Sequence, residues 1–549
     1  MRIGNKFLAA LSTALVSALM TGKSSAAGSA DPVAAQYYFA GASDLAVNTN
    51  FARAWAIFHN PTGTRFMDLA LDRWTSVFWD AFQFGPNANA STLLRPALND
   101  LTGAESAGSF GGRDKDRLDF VIAARLNVER AGAWEKSLDV VMHGPGEALV
   151  EQGFSGHHWT LPGGGFFWIL RARDWTVVGR GDGLSAVCAA YLQHIKQDNR
   201  PVAAVKDRWL SADVDWPRLA EWAPISNSPF KLARTVVDVT AENGRMHTTA
   251  HVIYPEAIPW TPTPWRIPKD LVNTPLNSFT ATQDLQAYMM PNQLLSRLSG
   301  NPLAGQLFFW GLREMVLENA AAWPVADATS ALRKLAAEAP AVLNPWLAAR
   351  DKTQFDWFPK ADRLIWSKLP FTTPAVDPAH GKDGDFLLAE LFPFKPKIVP
   401  ASDQLWGQFE NRNDLVYYDW EITGPRLRQW RLLSELLPIL PPPTHADDVR
   451  HENAAKNTKL PMIGNEPATP LIITEEWLAE LSAVLGNTVT EAVHTSPTEL
   501  TVTRSSQFLF TSLELVELSH WLADSPIGPI DKSLLPFAKM SGPGMPRTH

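Results

Sequence analysis

Three groups of side chains have the types that metal chemistry needs. His247 and His251 are four residues apart, and on a helix they would share one face and could hold a zinc ion together. Their neighbours Thr248, Thr249, Val252 and Ile253 favour a strand instead. There, side chains four positions apart stand about 13 Å from each other and cannot share an ion. His157 and His158 are adjacent and point to opposite faces of an extended chain. His445, Asp447, Asp448, His451 and Glu452 crowd one polar stretch. Those ligand types suit a metal, but any solvated loop collects them too. No metal ligand set is assigned.

Cofactor and nucleophile patterns fall short in similar ways. Gly179-Arg180-Gly181-Asp182-Gly183 joins a strand-like run to a helical one. A dinucleotide-binding turn needs a further glycine at 184, where the helix packs on the strand, and Leu184 occupies that place. Asp182 is instead positioned to cap the helix, and Arg180-Gly181-Asp182 reads as part of a structured turn rather than an adhesion motif. Gly22-Lys23-Ser24 ends like a phosphate-binding loop, but Ser17 stands where its first glycine belongs. No cofactor is expected. Gly153-Phe154-Ser155-Gly156 is one residue short of a nucleophile elbow. Cys188, the single cysteine, lies beside a helical apolar face of Leu184, Val187, Tyr191 and Ile195 and reads as a buried structural thiol. No catalytic residue is identified, and the sequence leaves open whether the protein is an enzyme.

Tryptophan is abundant, 22 copies against 7 tyrosines. In an exported protein that raises stacking on sugar rings, for which the indole face is suited. The tryptophans run from Trp55 to Trp521 without a cluster, and Trp222 and Trp430 fall on helical apolar faces, so structural roles are expected for most. Trp260 and Trp265, in a proline-rich connector, are the expected exposed exception.

The chain that must position these residues has 549 of them, 45% hydrophobic and 19% charged, which excludes a disordered polymer. A net charge of −8 excludes general nucleic-acid binding, since phosphates must be neutralised by basic side chains. Residues 1–27 read as a signal peptide. Arg2 and Lys6 precede the apolar Phe7–Met20 run, and Ser25-Ala26-Ala27 fits a cleavage site. The expected location is periplasmic or secreted, with no transmembrane segment in the mature chain. Loss of Arg2, Lys6 and Lys23 with the leader takes the net charge from −8 to −11.

One plan is legible twice. FAGASDL (Phe39–Leu45) matches FTATQDL (Phe279–Leu285), and each is followed by a helical stretch with Asn-Pro, at Asn60-Pro61 and Asn301-Pro302. WLSADVDWPRLAEW (Trp209–Trp222) matches LVYYDWEITGPRLRQW (Leu415–Trp430), each a strand leading into Pro-Arg-Leu-x-x-Trp at a helix start, where proline needs no donor. Phe230–Thr240 and Arg245–Tyr254 flank Asn243-Gly244, a strong hairpin signal. Asn487–Thr495 and Thr498–Ser505 flank the weaker turn Ser496-Pro497. Further strands are expected at Phe166–Ala172, Trp175–Arg180 and Phe120–Leu126, and helices at Phe51–Trp74, Leu184–Lys196, Ala328–Ala339 and Leu427–Leu437.

The expected fold is α+β, two tandem, weakly similar repeats of antiparallel sheet with packed helices. The expected domains are a first repeat over 28–254, a proline-rich connector over 255–268 and a second repeat over 269–540 with an insertion at 438–470. A disordered tail follows over 541–549.

With this plan in view, the segments SDLAVNTN, ADVDWPRLAEW and TVVGRGDGLSAV resemble large exported bacterial proteins grouped as a domain family of unknown function. The resemblance implies export and a duplicated α+β plan and carries no catalytic residue. The function expected is therefore non-catalytic binding of a protein or glycan partner in the envelope. The alternative is a secreted or periplasmic hydrolase acting on glycans or peptides.

Overall fold

The computed structural model describes residues 33–42, 55–57, 59–81, 90–112, 118–161, 164–181, 186–202, 208–222, 231–288, 305–313, 318–350, 353–369, 372–392, 401, 403–436 and 475–516. The expected leader, the 438–470 insertion, the tail, Asp182 to Leu184, Asn301-Pro302 and the His445–Glu452 group lie outside them. Two compact units divide the described residues. The first takes those within 1–228, 232–257 and 498–509, and the second the remainder.

The first unit holds β1 (Val33–Phe39), β2 (Ser106–Gly112), β3 (Leu118–Arg125), β4 (Glu147–Glu151), β5 (Phe154–Thr160), β6 (Phe166–Ala172), β7 (Trp175–Gly181), β8 (Arg208–Asp215), β9 (Arg234–Glu242), β10 (Arg245–Ile253) and β20 (Glu499–Ser506). Their antiparallel ladders run in the order β4-β5-β6-β7-β3-β2-β1-β8-β9-β10-β20. Asn243 and Gly244 turn β9 into β10 with φ of 50° and 73°, the backbone that an Asn-Gly hairpin requires. Strands β2 and β7 are buried along nearly their whole length. One side packs Phe110, Phe120, Phe167 and Ile169; another packs Trp168, Trp175, Leu192 and Ile195.

The second unit holds β11 (Leu276–Gln283), β12 (Gln306–Leu312), β13 (Asn319–Val325), β14 (Gln354–Phe358), β15 (Arg363–Ser367), β16 (Ala375–Gly381), β17 (Gly384–Glu390), β18 (Leu415–Ile422) and β19 (Asn487–Ser496). Their antiparallel order is β14-β15-β16-β17-β13-β12-β11-β18-β19. Adding ten to each strand number of the run from β4 to β9 gives this run. Every residue of β11 is buried. Its Phe279 packs edge-on against Trp406 and Phe409, with ring centroids 5.5 and 5.9 Å away. Sealing such a ring from water contributes roughly 2–3 kcal/mol.

The balanced α+β expectation is corrected. The fold is sheet-rich: among the described residues twenty strands form antiparallel ladders and helices are the minority. The difference lies in strands that the sequence pattern conceals. SAGSFGG in β2 and NAAAWPV in β13 are built from glycine and alanine, which favour strands poorly. They are strands because a ladder flanks them on both sides. The four strands over 354–390 also carry little alternation.

Helices expected in the sequence are present with shifted bounds: Pro61–Ala81, Ala186–Asp198, Ala328–Arg350 and Thr423–Leu436. The Phe39–Phe279 match is corrected by two residues. Aligning the Pro-Arg-Leu segments pairs Ala212 with Trp420; Tyr37 opposes Ala212 and Phe279 opposes Trp420. Phe279 therefore corresponds to Tyr37. A slip of two keeps every side chain on its own face, so hydrophobic patterning could not detect it.

Candidate functional site

In the second unit, three elements bring polar side chains together where the sheet meets a helix. The first is β11. Its register against β12 shifts between Leu276 and Ser278, so Asn277 is the extra residue of a bulge, a device that re-aims a side chain. The second is β12, where Gly311 faces Ser278. The third is β18 with the helix Thr423–Leu436 that follows it. Glu421 opposes Ser278 from the other edge of β11, and Arg426 lies in the helix's first turns.

Gly311 lets these groups crowd against the strand. A Cβ there would stand 2.6 Å from Arg426 Nη1, 2.7 Å from Asn277 Oδ1 and 3.0 Å from Ser278 Oγ. Asn277 is wholly buried, yet neither its Oδ1 nor its Nδ2 has a hydrogen-bond partner. Such a group forfeits about 1–3 kcal/mol for each unmade bond. Arg426 Nη1 donates to Asn319 Oδ1 at 2.8 Å and to Gln429 Oε1 at 3.0 Å. Its guanidinium lies 4.6 Å over the Trp430 ring. Buried Gln429 donates from Nε2 to the Leu312 carbonyl at 2.7 Å. Among the described residues, Arg426 makes no ion pair. Burial pulls its pKa down, while Glu421 and Asp419 hold it up.

Glu421 is committed elsewhere. Ser512 donates its backbone N–H to Oε1 at 2.7 Å and its hydroxyl to Oε2 at 2.6 Å. Ser512 opens a helical turn with a capping box, in which Thr511 N donates to Glu514 Oε2 and Glu514 N to Thr511 Oγ1. Burial pushes the Glu421 pKa up, and the Ser512 donors oppose it. Thr423 and Thr488 share a 2.7 Å hydroxyl contact beside it. Gly424 lets the helix approach its neighbour Glu475–Val484, since a Cβ there would come within 2.5 Å of the Ser482 carbonyl oxygen.

The positions that correspond in the first unit are built differently. Asp213 stands at the Glu421 position and Gln36 at the Ser278 position. Asp213 is held by Arg234, Nε to Oδ1 at 2.8 Å and Nη2 to Oδ2 at 2.6 Å. Arg218, at the Arg426 position, donates from Nη2 to the Gly112 carbonyl at 2.9 Å. Ala35 stands where Asn277 does.

The residues singled out in the sequence do not meet at this site. His247 and His251 lie on β10, as their neighbours' types favour. His251 Nδ1 lies 2.8 Å from Glu499 Oε1, and His247 opposes Ser505. His158 sits edge-on to Phe166, 3.6 Å from Glu147, while His157 opposes Ile169. Ser155 and Gly156 belong to β5. Cys188 is buried, and burial pushes its thiol pKa far up, the condition of an inert thiol. Among the described residues, no three His, Cys, Asp or Glu side chains are grouped to hold a metal ion.

The exposed-tryptophan expectation is corrected. Trp265 packs on Phe308 and Phe409 and donates to the Arg412 carbonyl; Trp260 stacks on His494 at 4.4 Å. The prolines hold the backbone extended, and both rings fold back onto their own unit. Glu421 and Arg426 lie within LVYYDWEITGPRLRQW, one of the two segments of the expected repeat, where the apolar residues carry the visible pattern. Asn277, Gly311 and Ser512 carried no sequence signal, because a bulge and a missing Cβ have none.

Compared with protein-family models, curated proteins and solved structures, the chain has no match in any of the three. The resemblance to exported bacterial proteins rests on the quoted segments alone.

Proposed function

We propose that this is an exported binding protein, not an enzyme, and that its ligand seats at Asn277, Ser278, Gly311 and Arg426. The observation that carries this reading is the wholly buried Asn277 amide with neither atom bonded, beside a guanidinium that meets only amide oxygens. A folded core keeps polar groups paired, and unspent ones are what a polar ligand would complete. Ser512 and Glu421 look like a nucleophile and its base, but Glu421 takes the Ser512 backbone N–H as well as its hydroxyl, the pattern of an anchor that holds the turn in place.

Two measurements test the proposal. Native mass spectrometry of the protein purified from envelope extract should show a small-molecule adduct that the Asn277→Leu, Arg426→Gln double variant lacks. Identical spectra from the two proteins would contradict it. N-terminal sequencing of the exported protein should begin at Gly28, and an intact Met1 in the cytoplasm would remove the export part.

One observation favours the hydrolase reading. Glu390 is pushed up to about 7, first by burial and then by Asp377, and a carboxyl poised there can donate a proton at neutral pH. Asp377 lies diagonally across the β16–β17 ladder from Glu390. It is locked by Arg363 at 2.6 and 2.8 Å, which leaves it poorly placed as the second acid that glycoside hydrolysis needs. Turnover of aryl glycosides by the wild type, abolished in Glu390→Gln, would reverse the preference.

A further inference from the structure

In the first unit, and independently of the Asn277 site, we propose a docking edge for an extended segment of another protein: β4 takes on a further antiparallel strand whose sequence reads basic-x-apolar-x-basic. β4 (Glu147–Glu151) ends the ladder order of its unit and pairs with β5 alone. Gln152 and Gly153, with φ of 51° and 86°, make the two-residue turn between them. Residues flanking such a turn exchange both backbone bonds, so Glu151, Leu149 and Glu147 direct their backbone groups at β5. Those of Ala148 and Val150 point outward. Among the described residues nothing bonds them. Both side chains are exposed, Val150 at 73%.

The second unit shows what closing this edge takes. β14 (Gln354–Phe358) holds the corresponding place, and Asn344 of the helix Ala328–Arg350 lies along it. Asn344 Nδ2 donates to the Phe355 carbonyl at 3.0 Å, and its Oδ1 accepts from the Phe355 N–H at 2.7 Å. One side-chain amide thus imitates a neighbouring strand. In the first unit the helix Val128–Val141 sends Asp139 only to the Gly146 N–H, at 3.1 Å, one residue short of β4. Exposed edges commonly carry lysine or proline to block chance pairing, and EALVE has neither.

Charge selects the occupant. Glu147, Leu149 and Glu151 share one face of the strand, and the Glu147 side chain is 82% exposed. A second copy of β4, paired antiparallel about Leu149, would set Glu147 against Glu151 twice, and like charges placed opposite each other repel. A strand with Lys or Arg opposite each glutamate and an apolar residue opposite Leu149 reverses that sign. Backbone bonds to Ala148 and Val150 hold such a strand, and the side chains choose it.

The test is fluorescence anisotropy of a labelled, end-capped Lys-Thr-Val-Thr-Lys peptide titrated with the full chain. It should bind about tenfold or more tightly than Glu-Thr-Val-Thr-Glu. N-methylation of its two threonines removes the donors aimed at Ala148 and Val150, keeps every charge, and should abolish binding. Val150→Pro removes an outward N–H without touching the β5 ladder, and should weaken binding about tenfold or more with unchanged far-UV circular dichroism. Glu147→Lys with Glu151→Lys should reverse the preference between the two peptides. Equal binding of the N-methylated peptide would show that charge alone attracts it and that no strand is added. A wild type that sediments as a dimer, dispersed by Val150→Pro, would make a second copy the occupant and overturn the proposal. So would a basic peptide that does not bind the folded wild type.

Discussion

Asn277 Oδ1 and Arg426 Nη1 face the same point, the place where Gly311 lacks a Cβ, at 2.7 and 2.6 Å from it, and they are not hydrogen-bonded to each other. A core selected for stability alone would carry an apolar side chain in place of Asn277. Asn277→Leu should therefore stabilise the protein by about 1–2 kcal/mol in urea unfolding, because it removes a buried amide with nothing to bond. The same variant should lose ligand binding, the usual exchange of stability for function. A loss of stability of similar size would mark Asn277 as a structural residue.

Gly311→Ala tests the crowding from the other side. The added methyl must displace three polar atoms that lie within 3.0 Å of it. Arg426 cannot yield without leaving Asn319 and Gln429. The expected cost is about 1–3 kcal/mol, read as a lower urea midpoint, together with loss of binding. Unchanged stability and affinity would show that the guanidinium is not held as described.

Ser512 fastens the segment after β20 to the end of β18. Ser512→Ala removes one hydrogen bond and leaves a Glu421 oxygen buried without it, a loss of about 1–3 kcal/mol. Limited proteolysis should then cut beyond residue 509 sooner than in the wild type, with fragments identified by mass. Equal cleavage rates would contradict the anchoring role.

Glu390 predicts an unusual pH dependence. Its pKa rises from an ordinary 4.5 to about 7 in the folded state, so the folded protein keeps a proton that the unfolded chain gives up. The resulting stability is fully present below about pH 4.5 and is lost as the pH climbs through about 7. Glu390→Gln keeps the neutral form at every pH. Near pH 8 it should exceed the wild type by up to about 3 kcal/mol, less after solvent screening, and near pH 4 it should match it. A variant less stable than the wild type at pH 8 would contradict the assignment.

The hairpins and the Pro-Arg-Leu helices were legible in the sequence because their signals are local. An Asn-Gly turn and a proline in a first helical turn dictate their own backbones. The sheet-rich character was not, because glycine and alanine strands such as β2 and β13 are strands only by virtue of their neighbours. The site was half legible. Glu421 and Arg426 fell in a segment that repetition had marked. Asn277 depends on a register shift in β11, and Gly311 on what surrounds it, and neither can be read before the strands are paired.

The most direct measurement is a crystal structure of the full chain purified from envelope extract. The account predicts density of a small molecule bonded to the Asn277 amide. An Asn277 amide with both atoms unbonded, or bonded only to protein, would contradict it.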